Sequence, residues 1–208
     1  MIETIRTKLQ HDLERVENLI EIYDQFTPGG SGRRRVAELD ILRAAVAFLH
    51  AALEGLLREL LRHSAPGADI ATWRDELGDM PLPGLEGKKF HLYHLAYHRG
   101  RTIDDVIEEA VDEYLDESNF NNIGEIKAAL RQLELDDALV ERYTGTIGPL
   151  MKRRHHIVHQ FDTNRTQEGS GHHTARSLAR STVQTWLEAV GDFGHDVLDS
   201  ADENEEIQ

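Results

Sequence analysis

The chain has no cysteine. Disulfides and thiolate metal sites are therefore excluded, and the absence fits a reducing compartment. Long apolar runs are missing too: no stretch approaches the roughly 18 to 20 residues that span a bilayer. From Met1 to Gln10, Glu, Arg and Lys alternate with isolated apolar side chains, so no signal peptide is visible. A cytoplasmic protein without membrane contact is expected. There is no Gly-rich phosphate loop, no Ser-His-Asp ordering, no dinucleotide fingerprint, no internal repeat and no strand pattern. Aromatics make up only 6% and apolar residues 39%, while charged residues reach 29%, a profile that suits helices each buried on one side.

Positive charge is also in short supply. Lys and Arg number 23 against 38 Asp and Glu, a formal net charge of -15, which argues against a general nucleic-acid coat. The acids are unevenly spread. Asp104, Asp105, Glu108, Glu109, Asp112, Glu113, Asp116 and Glu117 crowd one stretch, read as a solvated helix face. Asp199, Asp202, Glu203, Glu205 and Glu206 crowd the other end, where residues 200–208 are expected to form a disordered acidic tail. A small local site for RNA remains compatible with this balance; a long binding track does not.

What is present is helical period. Ile5, Leu9, Leu13, Val16, Leu19, Ile20 and Tyr23 recur at three- and four-residue steps, predicting an amphipathic helix over residues 2–26. A Pro-Gly-Gly turn ends it, and a more apolar, alanine-rich helix from Val36 to Leu60 is placed at the centre. Residues 64–87, rich in Pro and Gly, read as a long loop, followed by a short helix from Lys88 to His98. Thr102 with Asp105 forms a capping box for a helix whose buried face is expected to include Ile103. Asn122 with Glu125 caps another. Pro149 fits the first turn of the next helix, with Leu150, Met151, Ile157 and Val158 as its core anchors. Thr174 would cap the last. The expected architecture is an all-α helical bundle with additional short helices, one domain over residues 1–199.

The only dense basic segment runs from Lys152 to Asp162: Lys-Arg-Arg-His-His-Ile-Val-His-Gln-Phe-Asp. Arg154 precedes His159 by five positions, with the polar His155 directly after the Arg. This pairs a permanent cation with a group that titrates near neutrality, a combination suited to a phosphodiester. On an ideal helix the two lie about 140° apart, flanking the apolar stripe rather than stacking.

This Arg-x4-His pattern, late in an all-α chain, resembles the signature of the HEPN superfamily, helical domains of which many are ribonucleases. The resemblance spans roughly Arg33 to Leu198 in helix order, and its specific part is Lys152 to Asp162. It implies a HEPN-like bundle and a metal-independent endoribonuclease without a cofactor, acting as a homodimer whose two motifs face one cleft. Arg154 would clamp phosphate, His159 would act as general acid or base, and His155 would orient the phosphate or the pair. Lys152, Arg153 and His156 are the expected substrate-binding residues. The same resemblance implies a toxin or antiviral defence effector, with RNA as substrate and an antitoxin or defence protein as partner.

Glu54, in the apolar central helix, is either a buried orienting partner for Arg154 or His159 or a residue of the polar edge. Arg43, about three turns earlier, would reach RNA or an acid. His91, His94 and His98 share one helical face and offer a rival metal-binding reading, joined by His155 and His159 with Glu54 or Asp162 as carboxylate ligand. A further alternative is a catalytically silent interaction module that docks through its acidic helix.

Overall fold

The apolar period of the first segment becomes helix α1, Ile2–Phe26, with Ile5, Leu9, Leu13, Val16, Ile20 and Tyr23 buried on one stripe. In the computed structural model the described residues are 1–27, 36–68, 96–162 and 176–207. Helix α2, Val36–Ser64, runs through the middle and buries residues on most of its circumference, from Leu42 to Leu61. Lys8 meets Glu59 at 2.5 Å and the Arg15 guanidinium lies 5.3 Å from the Phe48 ring centre, so α1 and α2 run antiparallel.

A capping box at Thr102 and Asp105 opens α3, Ile103–Glu117, and the Asn122 side chain accepts from Glu125 N to open α4, Ile123–Gln132. A 3-10 segment, Asp137–Tyr143, continues directly into α5, Thr144–Gln160. The last helix is α6, Arg180–Ile207. It lies antiparallel to α1, with Arg6 bonded to Asp199 and Arg180 to Asp24 at either end. Gly194 is what allows their closest approach: a Cβ there would sit 2.5 Å from Leu9 Cδ2 and 3.2 Å from Leu56 Cδ2. Buried side chains from Ile2 to Ala201 form one core cluster. The fold is all-α: no strand occurs among the described residues, and none of their helices is long and apolar enough to cross a membrane.

Several expectations need correction. Ile103 is 77% exposed, because the first turn of α3 stands clear of α2 and burial begins only at Ala110. Pro149 lies inside α5 instead of in its first turn, since the preceding 3-10 segment starts the helix early, at Thr144. Val158 is 49% exposed and anchors nothing. The last helix begins at Arg180, and Thr174 lies outside the described residues. Where sequence predicts loss of order from Ser200, α6 continues to Ile207, pinned by buried Ala201 and by Asn204 Nδ2 donating to Glu134 O. After α2 a 3-10 turn, Ala65–Gly67, opens the long connection. Most of that connection and of the Lys88 to His98 helix lies outside the described residues.

Candidate functional site

Helix α5 changes character along its length. Ile147, Leu150 and Met151 are buried, whereas Lys152, His155, Val158 and His159 are exposed and Arg153, Arg154 and His156 half-buried. Its end is sharply defined. Phe161 and Asp162 both adopt left-handed backbone, φ 50° and 53°, and both donate their N–H to His156 O. That double closure satisfies a carbonyl the helix would otherwise leave bare.

Two adjacent arginines leave α5 in different directions. Arg153 turns inward. Its Nη2 donates to Asp162 Oδ2 at 2.7 Å and to the carbonyls of Arg176 and Ser177 at 3.1 and 2.9 Å. Asp162 is fully buried, and the same oxygen accepts from Arg43 Nε at 3.0 Å. Arg43, also buried, donates further to Asp40 and to Arg176 O. Burial pulls the Arg153 guanidinium below its ordinary value while Asp162 pushes it back up; it stays charged at any working pH. Arg153 is therefore not placed to bind substrate, and Arg43 reaches acids instead of RNA. Asp162, read as a metal ligand in the rival scheme, is committed to two guanidinium groups. One carboxylate shared by two cations in the interior is costly to break, at about 3–5 kcal/mol when one partner is lost.

Arg154 turns the other way, toward the Asn119–Asn122 loop between α3 and α4. Its Nη1 donates to Asn121 Oδ1 at 3.1 Å, the one hydrogen bond its guanidinium makes among the described residues. Behind that loop stands Glu54 of α2, whose Oε1 accepts from Phe120 N at 3.3 Å. Its Oε2 lies 3.6 Å from Nδ1 of His50, a buried imidazole whose ring nitrogens have no hydrogen-bond partner among the described residues. Burial alone would raise the Glu54 carboxyl, but His50, the Phe120 N–H and the positive field of Arg154 outweigh it and hold the carboxyl below its ordinary value. Glu54 thus acts on Arg154 through its field and through the backbone of the loop, without direct contact. Asn121 and His50 escaped the sequence reading. The Asn-Phe-Asn-Asn stretch reads only as a helix breaker, and a lone His in an apolar helix carries no local signal.

The histidines form a group on the outer surface. The rings of His155 and His159 lie 4.7 Å apart at 47°, one turn apart on the same face, and His155 lies 6.0 Å from His156. His156 Nδ1 pairs with Gln160 Oε1 at 3.1 Å, turned to its own helix. Lys152 is exposed one turn before His155. Arg154 and His159 do not bond one another among the described residues, as their angular separation predicts. The chain thus presents an Arg with spare donors on one flank and a pair of accessible imidazoles on the next, beside exposed Val158 and Phe161.

Such a set can hold an anion and move protons. For metal, no group of three or more His, Asp or Glu that could ligate an ion occurs among the described residues. His91 and His94 lie outside them, and His98 sits in the turn before Gly100. Glu54 is already engaged by Phe120 and His50.

The model of the family RiboL-PSP-HEPN matches residues 11–199 of the chain, from the middle of α1 to the outer part of α6. No curated protein and no solved structure matches it.

Proposed function

Because the chain belongs to the RiboL-PSP-HEPN family, we propose that it is a metal-independent endoribonuclease whose active site is built from Arg154, His155 and His159. The observation that carries this reading is the divergence of the two arginines. Arg153 is turned inward to Asp162 and two carbonyls, whereas Arg154 is steadied, among the described residues, by Asn121 alone and keeps donors for a phosphoryl group. In the proposed reaction the ribose 2′-hydroxyl loses its proton to an imidazole and attacks the adjacent phosphorus. The O2′–P bond forms, the P–O5′ bond breaks, and the leaving oxygen takes a proton from a second acid. Products are a 2′,3′-cyclic phosphate and a 5′-hydroxyl end. Arg154 stabilises the charge gathering on the phosphoryl oxygens.

One chain offers a single Arg154 and one exposed His pair, set on different flanks of α5. A twofold dimer bringing two such helices to one cleft supplies the second proton carrier and doubles the positive potential against an acidic surface. A toxin or defence role then follows as the biological expression of the activity, visible as growth arrest on expression in cells and relieved by His159→Ala.

The test is incubation of purified protein with a long single-stranded RNA, with and without excess EDTA, and analysis of the new ends. Cleavage that survives EDTA and leaves cyclic phosphates is expected. A chelator-killed activity restored by Zn²⁺ or Mn²⁺ would move the case to the histidine-metal reading. No cleavage by pure dimer would leave a silent interaction module.

A further inference from the structure

Phe161 is 90% exposed, the most exposed of the large hydrophobic side chains among the described residues, and it stands two positions after His159. It is also held where such a residue is unwelcome. A φ of 50° is left-handed backbone, a region that Gly or Asn occupies readily and a bulky aromatic rarely does. Helix ends of this kind are usually closed by Gly. Here the strained pair Phe161–Asp162 is kept in place from beneath. Asp162 is sunk completely, clamped by Arg43 and Arg153, and its own carbonyl accepts from Arg176 N at 2.9 Å. The structure therefore fixes a backbone that projects an aromatic ring into solvent, with no aromatic or cation-π partner for it among the described residues. Two residues of chain span at most about 7 Å, so the Phe161 backbone stands within that distance of the His159 backbone, at the same end of α5.

An exposed, immobilised aromatic beside a phosphate-handling pair is what a nucleobase stacks on, since every base has a π-face and the aromatic loses little freedom on contact. Resting on the RNA-cleavage reading above, we infer that Phe161 is a nucleobase platform. It would stack on an unpaired base next to the scissile phosphate, restricting cleavage to single-stranded segments. The buried Asp162 ion pair is its mount.

The decisive variant is Phe161→Gly, which removes the ring and relieves the left-handed strain together. A residue with only a structural role would leave RNA binding unchanged while the melting temperature holds or rises. A platform gives the same stability result but weakens binding of a 2′-O-methyl oligonucleotide, which cannot be cleaved, by roughly 5- to 150-fold. The loss in cleavage falls mainly on KM, and Phe161→Trp restores both. A 2-aminopurine placed along the probe reports the stacked position by its quenching in wild type and not in Phe161→Gly. Sedimentation of wild type and variant runs alongside: if Phe161→Gly dissociates the dimer, the ring is an interface residue and the inference fails. Wild type that cleaves RNA with Phe161→Gly equal to it also overturns the inference while sparing the ribonuclease reading; wild type that neither binds nor cleaves overturns both.

Discussion

Arg153 and Arg154 are neighbours in sequence with the same side chain, yet they belong to two different regions of the molecule. Around Arg153 the hydrogen bonds run inward, to Asp162 past the end of α5 and to the 176–177 backbone, and Asp162 is shared with Arg43 on α2. Around Arg154 the contacts are sparse and peripheral, one bond to a loop asparagine, with the exposed imidazoles of His155 and His159 nearby. A region whose donors face the interior can only support; one whose donors reach solvent is open to a ligand. The same charge serves architecture on one side of α5 and, in the proposed reaction, chemistry on the other.

Mutations divide accordingly. His159→Ala should lower the cleavage rate by about 10²–10⁴, the usual worth of a positioned proton carrier, with little change in melting temperature because the ring is exposed. Equal loss of fold and activity would erase the distinction between the two regions. Asp162→Ala should do the reverse at first instance, destabilising the chain by about 3–5 kcal/mol as two guanidinium groups lose their shared carboxylate. Denaturant unfolding measures it, and a loss below about 1 kcal/mol would show the node to be ornamental. Arg154→Lys should cost about tenfold in kcat/KM, since an ammonium cannot form two parallel bonds to phosphoryl oxygens. Arg153→Lys, by contrast, should register in stability before it registers in turnover.

The smallest effect concerns acid. Glu54 has a folded-state carboxyl below its ordinary value of 4.5, so its ionisation stabilises the fold above that value. The contribution is lost as pH falls from about 4.5 through the lowered folded value. Glu54→Gln should therefore flatten the acid limb of stability below pH 4.5 and leave the pH dependence near neutrality unchanged. An unchanged acid limb in the variant would mean that the His50–Glu54 contact carries no net charge coupling.

Sequence disclosed these regions unequally. The stripes of α1 and α2, the capping box at Thr102 and the Asn122 cap are local, set by neighbours three and four residues away, and were legible to within a residue or two. The Arg-x4-His spacing was legible for the same reason. The assignment of Arg153 was not, because its fate depends on Asp162 adopting left-handed backbone and on Arg43, 119 residues from that Asp. No window along the chain contains that pairing. Asn121 was hidden similarly: its role depends on α5 passing the α3–α4 loop. Burial of Val158 and Ile103 failed as an expectation because periodicity reveals an apolar face without saying whether anything covers it.

Pro149 carries a mechanical consequence. Without an N–H it cannot close the bond to the carbonyl of Gly145, so the ladder of α5 has a missing rung in its early turns, beside buried Ile147 and ahead of buried Leu150 and Met151. Cooperativity is weakest at such a seam. The turns from Leu150 to Gln160 lie beyond that gap, seated at one end by buried Leu150 and Met151 and moored at the other by the Asp162 anchor. Amide exchange along the helix should accordingly divide at Pro149, the turn from Gly145 to Gly148 exchanging independently of the turns that follow it.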